Sequence, residues 1–349
     1  MSDVNNILED IETFKEHCED INTFMDHLYC RFTEPGAFEL DSEYLGPLLT
    51  IPEKQLYGLL GIPYEYIKRC NANLIQCNTN YWIQELKSKQ ILIRKYNNIV
   101  RGILSDRYNT IFDDHVTIPI VIKSINEINE GVNKLFPVDF SKDSQFMMLY
   151  FTGLLDQVEY ENYKFTPRIE ISNSEIGLFS FRIKPCVSIY NPNTNVTSQL
   201  TSLSHNGLTK ISHLKQLNSE EELKFIVHQG IINAYEAAFL GIKEAIQLLK
   251  EPVSDPKEEL SKIGKECNLL SKRIQKVILE RYENSEVTKL QLIEDILETM
   301  KGAPLFKYII LQEKLCSHFH LFNEIKETKS QIINVSKKEE VDFRFNLDL

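Results

Sequence analysis

No apolar run in this chain approaches the ~20 residues that a membrane-spanning helix needs. The opening MSDVNNILEDIETF is acidic and lacks the basic and apolar halves of a secretory signal. The seven cysteines (18, 30, 70, 77, 186, 267 and 316) are odd in number and form no CxxC pair. That pattern argues against a disulfide framework and suits reduced thiols, as in a cytoplasm. There is no GxxxxGK[ST], no GxGxxG and no GxSxG, which excludes a P-loop, a dinucleotide fingerprint and a nucleophile elbow. No fixed-period repeat occurs. What remains is 349 residues with 42% hydrophobic and 26% charged content, an ordinary soluble globular balance, long enough for one large domain or two smaller ones.

The net charge of −11 is unevenly placed. Residues 1–48 hold twelve acids against Lys15 and Arg31, so nearly all of the excess lies there. Residues 64–108 run the other way, with eight bases against Glu65, Glu85 and Asp106. A bulk acidic chain therefore carries one local basic segment, which reopens a polyanion partner that net charge alone would disfavour. The acidic segment reads as a solvated helix face or, alternatively, as an element that folds over the basic segment.

Apolar spacing predicts helix across residues 4–31, with a break at Pro35-Gly36. PEKQLYGLL (52–60) predicts a helix that restarts at Pro63. Asn78-Thr79-Asn80 reads as a turn before another short helix. ILIRKY (91–96) and IVRGILSDRY (99–108) predict paired strands turning at Asn97-Asn98. Residues 115–136 predict a helix broken near Pro119, and 145–160 a buried strand. Two alternating runs in 168–183 flank an Asn-Ser-Glu-Ile-Gly connection, a clear hairpin. Residues 187–209 predict loop with short strands. Ser219 with Glu222 forms a capping-box pattern ahead of a long amphipathic helix to Pro252. Three more helices are expected at 256–282, 285–300 and 304–327, and VDFRFNLDL in the tail reads as a docking strand. The fold class is α+β: an antiparallel sheet core with long amphipathic helices and a helical C-terminal part. The implied divisions are an acidic helical segment (1–48), an α+β core (49–252), a helical region (253–327) and a tail (328–349).

Few residues carry chemistry. Cys316, His318 and His320 sit on a predicted helix, where only positions four apart converge, so no metal site is expected. No cofactor is expected either. Asp113-Asp114-His115 reads as a helix N-cap and first turn. The basic segment interleaves cations and rings: Tyr64, Tyr66, Lys68, Arg69, Tyr81, Trp82, Arg94, Lys95, Tyr96, Arg101, Arg107 and Tyr108. Cations attract phosphates regardless of sequence, and flat rings stack on unpaired bases. Arg168 and Arg182, on the later hairpin, extend the same face. Strand alternation puts Arg101, Ile103, Ser105 and Arg107 on one side of their strand.

LLGIPYEYIKRCNANLIQCNTNYWIQEL (59–86), VRGILSDRYNTIFDDHV (100–116) and ISNSEIGLFSFRI (171–183) resemble the phage/plasmid-like family known as domain of unknown function 932. The matching positions are Ile62, Pro63, Tyr66, Asn80 and Trp82. They continue with Arg101, Ser105, Asp106, Arg107 and Tyr108, then Asn173, Ser174, Glu175 and Gly177. The resemblance covers roughly residues 50–250. This chain departs from it by lacking the Cys-Thr-Asn-Gly element that follows the hairpin in many members, which leaves any role for the later His213 unsupported. The resemblance implies a mobile-element protein acting in a bacterial host cytoplasm. The order of strands, hairpin and long helix is also similar to single-strand annealing proteins.

Three functional expectations follow. In the first, a nonenzymatic protein binds nucleic acid, single-stranded DNA above all, in recombination or replication. Its contacts are Trp82, Arg94, Lys95, Tyr96, Arg101, Arg107, Tyr108, Arg168 and Arg182. In the second, the chain is an interaction or structural component of a phage particle or defence system, working through protein partners or self-association. In the third, an enzyme builds a polar site from Asp106, Arg107, Asn173 and Glu175. No membrane partner is expected.

Overall fold

A computed structural model describes residues 3–34, 37–41, 50–97, 99–130, 135–153, 156–201, 207–217, 219–282, 286–303 and 305–321. The expected break at Pro35-Gly36, residue Asn98 of the expected turn, and the tail strand lie outside them. The architecture is α+β with antiparallel sheets, as the sequence implies. Among the described residues no helix is long and apolar enough to cross a membrane. The chain divides into two compact units that interleave along the sequence. The first comprises Met1–Leu154, Ile169–Ile183 and Thr209–Ile232; the second comprises Leu155–Arg168, Lys184–Leu208 and Asn233–Leu349.

In the first unit α1 (Val4–Glu16) starts at Asp3, whose carboxylate accepts the Asn5 N–H at 3.0 Å, and it buries Ile7 and Ile11. The helix expected to reach residue 31 stops there. Residues 18–24 form β1 (Cys18–Phe24), which pairs antiparallel with β4 (Gln90–Tyr96) from Cys18↔Tyr96 to Phe24↔Gln90. A complete ladder of backbone hydrogen bonds overrides the apolar spacing, and it sets Glu19 beside Lys95 and Asp20 beside Arg94. The acidic segment thus lies along the basic strand. Next come β2 (Tyr29–Glu34) and β3 (Ala37–Asp41), a two-stranded pair.

Helices α2 (Thr50–Leu60), α3 (Tyr64–Ile67) and α4 (Ala72–Glu85) follow. Asn78-Thr79-Asn80 is no turn but the middle of α4. Thr79 is buried, and the Asn80 amide accepts from the Cys30 N–H at 2.7 Å and donates to its carbonyl at 3.1 Å, so tertiary contacts decide the local structure. Strand β5 (Ile99–Ser105) completes a sheet of order β1-β4-β5. One face of this sheet packs Ile91, Ile93, Val100 and Ile103 against Leu56, Tyr57, Leu60 and Ile83 of the helices. Each such fully buried aliphatic side chain contributes roughly 1.5–3 kcal/mol.

Helix α5 (Asp114–Asn129) runs unbroken through Pro119. Proline deprives only its own turn of a hydrogen bond, and Pro119 lies on the exposed side of the helix. The sequence predicts helix to residue 136, but α5 ends at Asn129 and β6 (Leu135–Lys142) pairs with β7 (Met147–Gly153). The hairpin at 168–183 is present as β9 (Tyr163–Asn173) and β10 (Phe181–Asn191), whose connection turns at Gly177 with φ +73. The inner ends of these strands belong to the first unit, where β12 (Thr209–Ile211) pairs with Phe181–Ile183.

The second unit holds the outer ends of β9 and β10, each edged by a short strand: β8 (Val158–Tyr160) on β9 and β11 (Val196–Thr201) on β10. Helix α6 (Glu220–Lys250), which belongs to the first unit as far as Ile232 and to the second from Asn233, begins where Ser219 accepts the Glu222 N–H at 3.2 Å. The helix expected over 256–282 is split into α7 (Pro256–Cys267) and α8 (Lys272–Leu279) by Asn268, which closes α7 in the left-handed conformation at φ 51. Helix α9 (Lys289–Thr299) starts at a capping box between Thr288 and Gln291, and α10 (Leu305–His318) follows. Phe165, Val187, Leu200, Ile242, Leu260 and Ile293 are among the residues of one shared core.

Candidate functional site

The sequence motifs converge on a buried ionic network in the first unit. Arg94 on β4 is fully buried. Its guanidinium grips Asp113 in a fork, Nη1 to Oδ1 at 2.7 Å and Nη2 to Oδ2 at 2.6 Å. Nη1 also donates to the Glu175 carbonyl at 2.7 Å, and Nη2 to Asp20 at 2.8 Å. Asp113 occupies the N-cap position of α5 without capping it, because its carboxylate is engaged by Arg94. Glu175 takes over that end of the helix by accepting the Asp114 N–H at 2.9 Å. Glu175 also pairs with Arg101 at 2.8 Å. Lys142 pairs with Asp114, and the Phe14 ring of α1 covers the Lys142 ammonium at 4.2 Å and the Arg101 guanidinium at 5.4 Å.

Asn173 fixes the far side. Its amide nitrogen donates to the Phe112 carbonyl at 2.6 Å and to Asp114 at 2.8 Å, so its oxygen must accept the 2.7 Å bond from His213 Nε2. His213 is thereby the Nε2–H tautomer, stacked on Tyr108 with ring centres 5.0 Å apart. Burial, with Arg94 nearby, holds its pKa down at about 3. Burial pushes Asp113 up to about 6 even though Arg94 pulls it the other way. Burial would raise Glu175 too, but Lys142 and Arg101 outweigh it and hold the carboxylate at about 2.

This packing decides the fate of the expected contacts. Arg94, Arg101, Tyr108 and Arg182 are each at most 9% exposed, so no polymer chain reaches them. Arg101 is re-aimed by a β-bulge: the register steps from Arg94↔Gly102 to Lys95↔Val100, leaving Arg101 as the extra residue. Ile103 therefore faces the aliphatic core with Val100, and Arg101 turns to Glu175; the shared side expected from simple alternation is lost. Arg182 lies over the Phe179 ring at 4.6 Å. Lys95 is mostly buried and paired with Glu19, and Tyr96 stacks on Phe14 at 4.6 Å. Arg168 is half-buried and belongs to the second unit. Trp82 and Arg107 are exposed.

Ser105, Asp106 and Arg107 close a local turn, with Ser105 Oγ bonded to Asp106 at 3.0 Å and accepting the Arg107 N–H at 3.2 Å. Ser174 Oγ donates to the Gln145 carbonyl at 2.6 Å, and the Gly177 N–H closes its turn on the Ser174 carbonyl at 2.9 Å. The four-residue polar site expected for an enzyme does not assemble, because Asn173 and Glu175 are interior while Asp106 and Arg107 face solvent. His318 is held between Glu259 and Glu266 at 2.8 and 2.7 Å, and Cys316 is buried. Among the described residues no group of three His, Cys, Asp or Glu could hold a metal ion.

A different surface gathers rings and cations in the open. Tyr66 on α3 and Leu74, Tyr81 and Trp82 on α4 are 43–59% exposed. The Asn78 amide donates to the Tyr66 hydroxyl at 2.8 Å, joining the two helices, and the Tyr81 and Trp82 rings meet edge to face at 5.5 Å. Lys68, paired with Glu65 at 2.6 Å, Arg69 and Lys87 are exposed in the turns that follow α3 and α4. Leu74, Asn78, Tyr81 and Glu85 recur at helical spacing. That spacing is present in the sequence, but the turn-forming composition of Asn78-Thr79-Asn80 interrupts it. No protein-family model, curated protein or solved structure matches this chain.

Proposed function

We propose that the protein binds single-stranded nucleic acid without catalysis, on the face formed by α3 and α4. The observation that carries this reading is the exposure of three aromatic rings, Tyr66, Tyr81 and Trp82, beside Lys68, Arg69 and Lys87. Rings in the open serve as platforms on which unpaired bases stack, at about 1–3 kcal/mol per base, and the three cations supply phosphate attraction. Recombination or replication in a phage or plasmid is the setting that the family resemblance implies.

Fluorescence anisotropy of a labelled oligothymidylate, titrated with salt, tests the proposal. Tyr81→Ala with Trp82→Ala should weaken binding about 10- to 1000-fold. Removing Lys68 and Arg69 should flatten the salt dependence by about 0.7 per charge. Absence of binding at low salt, or binding indifferent to all four substitutions, overturns it.

Leu74 favours a second reading. A 43% exposed leucine beside the rings is what a protein interface uses and phosphate recognition does not. A defined oligomer dispersed by Leu74→Lys, in a protein with no nucleic-acid affinity, would select this reading.

A further inference from the structure

The second unit contains a cavity of about 440 Å³, within the range that takes a small molecule. Its wall is acidic. Glu286, Glu294, Asp295 and Glu298 line it against one base, Arg281, which is already paired with Asp295 at 2.6 Å. Asp295 also accepts the Tyr282 hydroxyl. Acidic walls are common, and one buried atom sets this one apart. Glu294 on α9 is only 8% exposed. Its Oε2 accepts the Tyr163 hydroxyl from β9 and the Asn191 amide from β10, both at 3.4 Å, and Asn191 also donates to the Tyr163 oxygen at 3.0 Å. Its Oε1 is buried with no hydrogen-bond partner. A buried carboxylate oxygen without a donor is costly, and burial accordingly pushes Glu294 up to about 7, with Asp295 adding to the rise.

We infer that this cavity binds a small organic cation, an alkylammonium or guanidinium, whose N–H groups bond the unpartnered oxygen of Glu294. The polar neighbours on that carboxylate all serve Oε2, so a ligand is the missing donor for Oε1. The surplus of carboxylates over Arg281 selects a positive ligand over a neutral one. Among the described residues the acids are not gathered closely enough for a metal ion, and an N–H donor is the cation that fits.

Isothermal titration calorimetry on the full chain with butane-1,4-diamine and with agmatine tests this, using butane-1,4-diol as the neutral control. Both amines stay protonated at pH 6 and at pH 8, so the change in affinity reports the carboxylate. The groups facing Glu294 are Tyr163 from β9, Asp295 and Glu298 from α9, Arg281 and Tyr282 from the turn after α8, and Glu286. Burial brings Glu294 itself up to about 7. Affinity should rise about tenfold from pH 6 to pH 8 as Glu294 loses its proton. Glu294→Gln should weaken binding at pH 8 by about tenfold or more, the worth of a hydrogen bond to a charged group. Absence of binding by both amines at low salt overturns the inference. So does equal binding of the diol, unchanged affinity in Glu294→Gln, or binding of calcium or magnesium chloride in preference to the amines. Should Glu294→Gln fail to fold, the wild-type methyl resonances of Val196 and Val287, both in the cavity wall, decide the matter: the amines must shift them, and unmoved resonances overturn the inference.

Discussion

Replacing Arg94 with methionine keeps much of the aliphatic stem and removes the fork that neutralises Asp113. Four hydrogen bonds disappear, at 2.6–2.8 Å, and Asp113, only 2% exposed, is left as a buried carboxylate without its cation. Breaking a buried pair on one side costs about 3–5 kcal/mol. The chain has one way to soften the loss, which is to protonate Asp113. In the intact protein that group sits at about 6, with burial raising it and Arg94 restraining it. Without Arg94 it rises further, so above pH 6 the folded variant holds a proton that the folded wild type has released. The variant's deficit should therefore grow with pH, by up to about 1.4 kcal/mol per unit above pH 6, and level off below it. Urea unfolding followed by Trp82 fluorescence and circular dichroism at pH 6 and pH 8 measures this. The deficit should be about 2–3 kcal/mol smaller at pH 6. Asp113→Asn added to Arg94→Met should recover stability at pH 8 by leaving no charge to bury. Arg94→Lys should not restore the wild type, since an ammonium cannot reproduce the fork. A deficit independent of pH, or a double variant no more stable than the single one, would refute the assignment of Arg94 as the group that holds Asp113 in the interior.

Gly102→Ala should destabilise by about 1–3 kcal/mol in the same assay, because an added Cβ would stand 2.9 Å from both Cβ and Cγ2 of buried Ile176; a neutral substitution would mean that the hairpin connection can retreat. His213→Gln should blunt acid unfolding. The folded state holds His213 neutral down to about 3, whereas the unfolded chain takes the proton near 6.5, so stability is present above pH 6.5 and is lost as pH falls. The wild type should lose up to about 1.4 kcal/mol more per pH unit than the variant between pH 6 and pH 4, and parallel profiles would show that His213 is not insulated.

Elements whose own residues decide them were legible in the sequence. The 168–183 hairpin alternates and ends its connection on a glycine that must take φ +73. Helix α6 announces itself with Ser219 and a long apolar stripe. The β4-β5 pair is dense in β-branched residues. What could not be read depends on distant partners. Residues 18–24 are spaced acceptably for helix, and only the presence of β4 makes them a strand. The turn at 78–80 disappears because Asn80 bonds the Cys30 backbone and Thr79 is buried. Among the candidate residues, type is plain in the sequence and direction is not. Arginines on a strand look like a ligand surface until a single bulge turns Arg101 inward and three distant carboxylates claim Arg94 and Arg101. The exposed rings of α3 and α4 required knowledge of which face of α4 the core uses.

The polypeptide passes between its two units at 154/155, 168/169, 183/184, 208/209 and 232/233. During synthesis the first unit cannot close when its sheet β1-β4-β5 has emerged, because Arg94 still awaits Asp113 and the Glu175 carbonyl, and Arg101 awaits the Glu175 carboxylate. A nascent chain halted before Glu175 therefore carries unmatched interior charges. Folding should be post-translational and slow, governed by closure of long loops. No cut at a single peptide bond yields two severable pieces. Limited proteolysis should convert intact protein directly to small peptides, without a persistent half-sized fragment.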